Sequence, residues 1–136
     1  IKGADVFIGL STGGKLNPKL VALMNPEPIV FALSNPIPEI MPDIAKKAGA
    51  ALVATGRSDF PNQVNNALVF PGLFRGLLDA RVKQCNPKVI LAAAQAIAAA
   101  VTPSKNKILP GVLDKRVHQQ IANTVRQAAR GPLVRP

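Results

Sequence analysis

Apolar residues come in short unbroken runs through the first part of the chain and at helical spacing through the rest. Val6-Phe-Ile-Gly-Leu10, Ile29-Val-Phe-Ala-Leu33 and Ala51-Leu-Val-Ala54 do not alternate with polar residues, the pattern of strands covered on both faces of a parallel sheet. Two helix-like stretches lie between them. In the first, Asn17 offers an N-cap, Pro18 takes the first helical position, and Leu20, Val21 and Met24 supply an inward face before Asn25-Pro26 and Pro28 end it. The second runs from near Pro42 to Ala48, with Ile40, Ile44 and Ala48 four apart and Gly49 as its stop. This alternation predicts a parallel, right-handed βαβαβ unit over 1–55, part of a doubly wound, Rossmann-like α/β fold.

After a connecting stretch over 56–72 the pattern of 73–136 is wholly helical. The helix over Phe70 to Ala80 is predicted to turn Phe70, Phe74, Leu77 and Leu78 to one side, and Asn86-Pro87 to open a helix through Val101. Small side chains from Ala92 to Ala100 permit close helix packing. Asp114 is expected to cap a last helix through Ala129, with Val117, Ile121 and Val125 inward, Arg116, Arg126 and Arg130 toward water, and Gly131-Pro132 as its stop.

Candidate chemistry sits in the loops that follow the strands, because doubly wound folds bind ligands at the carboxyl ends of their strands. Ser11-Thr-Gly-Gly14 breaks the first run, and Ser34-Asn35-Pro36 closes the second, with Pro36 and Pro38 stiffening the turn. The stretch from Ala54 to Gly72 is the centre of the pattern. Gly56 can take the φ that releases a chain from a strand, and Asn62, Gln63, Asn65 and Asn66 follow with side-chain amides able to orient a carboxylate or carboxamide without adding charge. The same residues also suit a solvated loop and a helix N-cap, and Ser11 to Gly14 also suit an ordinary strand-to-helix turn.

Charge changes the picture little. The 136 residues carry a formal +10, with 17 Lys and Arg against 7 acids, which favours polyanions in general. With no Trp or Tyr and no aromatic after Phe74, stacking platforms for nucleic acid are missing, so no specific nucleic-acid partner is expected. No apolar segment is long enough to span a bilayer, no secretory signal pattern opens the chain, and the lone Cys85 fits a reducing cytoplasm. His118, beside Gln residues, is expected at the surface with no role.

Gly3-Ala-Asp-Val-Phe-Ile-Gly9, Phe31-Ala-Leu-Ser-Asn-Pro-Ile-Pro-Glu39 and the run from Ala54 to Gly72 closely resemble, ungapped and in the same order, three motifs of malic enzymes. From Lys2 to about Ala129 the chain resembles the C-terminal part of their NAD(P)-binding domain, most nearly the small bacterial and archaeal type. The resemblance implies oxidative decarboxylation of malate to pyruvate and CO2, with NAD or NADP as hydride acceptor and Mg2+ or Mn2+ as Lewis acid. It maps Asn35 and Asn66 onto amides that contact the substrate carboxylate and the nicotinamide, with Asn65 beside them, and Gly9, Leu10, Ser11 and Thr12 onto the loop along the cofactor.

The acid–base Lys and Tyr of the family and its carboxylate metal ligands lie upstream of the matched region. Asp5, Asp43, Asp59 and Asp79 match no metal motif, so no catalytic residue or metal ligand is assigned here. The chain also lacks a G-x-G-x-x-G fingerprint. It is therefore expected to be a piece of a longer enzyme, inactive alone, whose partners are malate or pyruvate, the remainder of that enzyme and further copies in a homo-oligomer. Two other readings stay open: a non-catalytic nucleotide- or polyanion-binding module on the same fold, and another NAD-linked dehydrogenase.

Overall fold

The computed structural model describes residues 1–130, so the expected stop at Gly131-Pro132 lies outside the described residues. Strands β1 (Val6–Gly9), β2 (Ile29–Ala32) and β3 (Leu52–Thr55) form a parallel sheet in the order β1-β2-β3, joined through helices α1 (Pro18–Val21) and α2 (Pro42–Lys47). A 3-10 turn at Asn66–Leu68 leads to α3 (Phe70–Ala80), α4 (Pro87–Ala99) and α5 (Lys115–Arg130). The arrangement is Rossmann-like, a parallel sheet with flanking helices followed by C-terminal helices. By contacts the chain divides into two units, Ile1–Asn65 with Pro103–Ile108, and Asn66–Thr102 with the segment from Leu109 onward.

In the first unit, register puts Phe7, Val30 and Val53 side by side, and Gly9, Ala32 and Thr55 beyond them. Val30, Ala32 and Val53 are buried against Leu16, Val21, Met24, Ile40 and Ala45, so both helices cover this one face. Successive right-handed crossovers running in the same direction leave no other choice. The one-turn helix α1 is started by Pro18 and by Asn17, whose Oδ1 accepts from Lys19 N at 2.9 Å.

Two predicted inward faces in this unit need correction. Leu20 is exposed, and Leu16, placed before the helix, is buried in its stead. Ile44 is exposed as well, because α2 turns Pro42 and Ala45 inward, while Ile40 is buried from the preceding loop. A spacing of four across a helix start cannot report the face of a helix this short, since Ile40 does not lie on its spiral.

The opposite face of the sheet carries Val6 and Ile8, which are 45% and 63% exposed. Burial on both faces, expected from the unbroken apolar run, is therefore not met at β1. Among the described residues β1 pairs only with β2, so its outer edge is open. A parallel strand with a free edge and an apolar face invites further pairing. This chain in isolation is expected to self-associate, and light scattering that showed a monodisperse monomer at high concentration would refute that.

In the second unit, Val117, Ile121 and Val125 of α5 are buried as predicted. Asn86 caps α4 through Oδ1, which accepts from Val89 N at 3.0 Å, and Val89, Ala93 and Ala96 face inward. Of the face predicted for α3 only Leu77 packs on the core, together with Leu73. Phe70, Phe74 and Leu78 are exposed, the two rings stacked at 5.6 Å, whereas Gly72 and Gly76 are buried. A Cβ on Gly72 would lie 2.5 Å from His118 O, and one on Gly76 2.6 Å from Ala122 O. Close approach of α3 to α5 selects the residues without side chains, which no count of apolar positions can detect. His118 is half-buried rather than free at the surface, with Nε2 2.9 Å from Val112 O.

Candidate functional site

The loops after β1 and β2 meet around a side chain that the sequence pattern did not single out as functional, Glu39. It is only 1% exposed. Oε1 accepts from Ser11 N at 2.8 Å and Oε2 from Ser34 N at 3.1 Å, so one carboxylate holds the second residue of each loop. The backbone reinforces the tie, with Gly14 N donating to Pro38 O and Leu16 N to Glu39 O, each at 3.0 Å. Gly9 permits it: a Cβ there would fall 2.6 Å from Glu39 Cδ. Burial pushes the Glu39 carboxyl up, but hydrogen bonds led by Ser11 N and Ser34 N outweigh it and leave the group below the usual carboxylate range. The signals in the sequence were an acid set between Pro38 and Ile40 and its place at the end of the Phe31 to Glu39 motif.

The loops after β2 and β3 are joined by contact and by one guanidinium. Asn35 is exposed in the loop after β2, and its amide packs against Gly56, where a Cβ would come within 2.7 Å of Nδ2. Arg57 donates through Nη1 to Pro36 O at 3.1 Å. Asp59 fixes that guanidinium with bonds of 2.8 Å from Nε and 2.7 Å from Nη2, and its Cζ sits 5.4 Å from the centroid of the Phe60 ring. Hydrogen bonding to Arg57 holds the Asp59 carboxyl below its ordinary range.

The four amides of the central stretch do not act alike. Asn62 is buried in a left-handed conformation, φ +59°, and donates from Nδ2 to Val53 O at 3.1 Å and Lys105 O at 2.9 Å, while Oδ1 accepts from Ile108 N at 3.1 Å. It is a structural clamp between β3 and the segment 103–108. Gln63 bridges to Thr55 through the backbone and reaches Gly56 O at 3.5 Å. Asn65 and Asn66 remain exposed, Asn66 as the opening residue of the 3-10 turn in the second unit, where its carbonyl accepts from Val69 N at 3.0 Å. Gly9, Leu10, Ser11, Thr12 and Asn35 are thus brought together at the strand ends of the first unit, and Asn65 is its last residue before the division.

This surface has a particular chemistry. Ser11 N and Ser34 N, the amides that would otherwise attract an anion at the strand ends, are spent on Glu39. Exposed at these loops are the apolar Leu10 and Ile37, the polar Ser11, Thr12 and Asn35, and the cationic Lys15, with the Arg57 guanidinium partly exposed and paired to Asp59. The neutral amide and hydroxyls can hydrogen-bond a carboxylate or a carboxamide without adding charge. Among the described residues no group of three or more His, Cys, Asp or Glu could hold a metal ion, so these residues do not fit Mg2+ or Mn2+. Nor is any helix among them long and apolar enough to cross a membrane.

A parallel sheet with flanking helices, followed by C-terminal helices, defines a unit of the Rossmann-like, doubly wound class. The chain belongs to the malic enzyme family: the family described as "Malic enzyme, NAD binding domain" matches residues 2–130. It is similar to the bifunctional malic/malolactic enzyme of Bacillus subtilis (strain 168), 51% identical over 132 residues that make up 95% of this chain and 32% of that protein. The NAD-dependent malic enzyme of Geobacillus stearothermophilus is 48% identical over 95% of this chain and 27% of its own length. The crystal structure of malic enzyme from Pyrococcus horikoshii Ot3 superposes with a TM-score of 0.91 at 49% identity, covering 94% of this chain and 30% of that one. The chain thus spans about a third or less of the length of the relatives it matches.

Proposed function

We propose that this chain is the C-terminal part of the NAD(P)-binding domain of a malic enzyme of the small bacterial and archaeal type, acting in the cytoplasm within a homo-oligomer. The longer polypeptide oxidises and decarboxylates malate to pyruvate and CO2. NAD or NADP, when bound, accepts hydride from the hydroxyl-bearing carbon. The observation that carries the reading is the Asn35 amide, set in the loop after β2 and packed against Gly56 in the loop after β3.

In this reading Asn35 and Asn66 bind the substrate carboxylate and the nicotinamide carboxamide, and Gly9, Leu10, Ser11, Thr12 and Asn65 line the cofactor. A neutral amide fixes the distance between donor carbon and acceptor ring without setting a charge against the malate carboxylates, so its contribution is one of geometry. Gly56, having no side chain, leaves room for that amide. The acid–base groups and the ligands of a divalent metal lie elsewhere in the longer enzyme, and this chain alone is expected not to turn over malate.

The test is malate-dependent reduction of NAD(P)+ with Mn2+ by the full-length polypeptide. Asn35→Ala and Asn66→Ala should each lower kcat/KM by roughly 1–3 kcal/mol of transition-state stabilisation, about 5- to 150-fold. Gly56→Ala should reproduce the Asn35 loss by displacing its amide. Were both Asn variants to keep wild-type kcat/KM, the site assignment would be wrong even for an active enzyme.

A further inference from the structure

Glu39 is a buried carboxylate with no place in the reaction proposed above, yet it touches two of the loops that carry the candidate site. Its oxygens are divided between Ser11 N and Ser34 N, the first residue after Leu10 and the residue before Asn35. Ser34 Oγ closes the turn further by donating to Ile37 O at 2.5 Å. Only an ionised carboxylate offers an acceptor to both amides at once, since a carboxamide must present its NH2 group to one of them.

We infer that Glu39 is a positioning residue, which holds the loop at Leu10 to Thr12 and the Asn35 amide in the spacing that cofactor and substrate require. The inference rests on the functional reading above, because it takes those loops to be the ligand-facing surface. Glu39 acts as an internal anion. By filling the amide pocket at the ends of β1 and β2 it turns away phosphate and leaves side chains, rather than backbone N–H groups, to face the ligand. Its influence passes through Asn35 and the Leu10 loop, with no contact to the reacting atoms.

The experiment compares wild type, Glu39→Gln and Glu39→Asp in the full-length polypeptide, with Val30→Ala as a control that weakens the buried core of the same unit. NAD(P)+ affinity by fluorescence titration and kcat/KM for malate are read below the unfolding range of every variant. Glu39→Gln should lower kcat/KM about tenfold, equal to about 1.4 kcal/mol, and should speed amide exchange at Ser11 and Ser34. Glu39→Asp keeps the charge but is one methylene shorter and should lose activity similarly. Val30→Ala should stay within about twofold of wild type despite its lower stability, as expected for independent sites.

Gly9→Ala provides a second probe should the Glu39 variants fail to fold. Its Cβ would displace the carboxylate without removing it and should bring the same loss. If the Glu39 variants match wild type in kcat/KM and NAD(P)+ affinity, or if Val30→Ala loses as much as they do, Glu39 is only structural and the inference falls while the malic enzyme reading stands. A wild-type protein with no malate-dependent activity would instead remove that reading, and this inference with it.

Discussion

Gly76→Ala is expected to destabilise the protein by about 1–3 kcal/mol, the usual cost of overpacking. Helix propensity alone predicts the reverse, because alanine is better than glycine inside a helix by about 1 kcal/mol. Geometry decides between the two. Gly76 lies mid-helix in α3, and its added Cβ would sit 2.6 Å from Ala122 O and 2.7 Å from both Cβ and Cγ1 of Val125. The first obstacle is backbone of α5 and the second a buried, β-branched side chain, so neither yields by a rotamer change. The helices must part, and the buried row of Val117, Ile121 and Val125 loses contact. Urea unfolding of wild type, Gly76→Ala and Gly76→Leu would measure this through the midpoint, with the leucine variant the worse. A higher midpoint for Gly76→Ala would mean that α3 does not dock closely on α5.

Asn62→Ala is the second large effect, expected to cost about 3 kcal/mol because several buried partners lose their hydrogen bonds together. The lost amide leaves Val53 O, Lys105 O and Ile108 N without the bonds it makes to them. Alanine is also poorer than asparagine at a φ of +59°. Asn62→Asp separates these causes. It keeps an acceptor for Ile108 N and a residue tolerant of the left-handed region, but it sets a carboxylate against two carbonyl oxygens and should destabilise at least as much. Asn62→Gly should recover only the backbone part. Thermal unfolding and hydrogen exchange over 103–108 would report the loss. If Asn62→Ala kept full stability and lost only activity, Asn62 would be a ligand residue after all and not a clamp.

The contrast between Asn62 and Asn35 shows how far residue type carries. Both are amides in loops that follow strands, but one is 8% exposed and hydrogen-bonded through both amide atoms while the other is exposed. The difference comes from the segment 103–108, which pairs with Asn62 from more than forty residues away in sequence. Family membership was equally legible, since three ungapped motifs survive in order. The tie made by Glu39 was not, because only the folded loops bring its two amide partners to it.

By itself the sequence determined the order of elements, the parallel βαβαβ unit, the caps at Asn17 and Asn86 and the inward row of α5, all of which follow from local φ/ψ preference and periodicity along one helix or strand. Tertiary structure alone decided which face of α3 packs, which of Leu16 and Leu20 enters the core, and which polar side chains serve the fold. Those outcomes depend on how near two backbones approach and on which donors remain unpaired once they do, quantities that belong to pairs of distant segments and leave no periodic trace in either one.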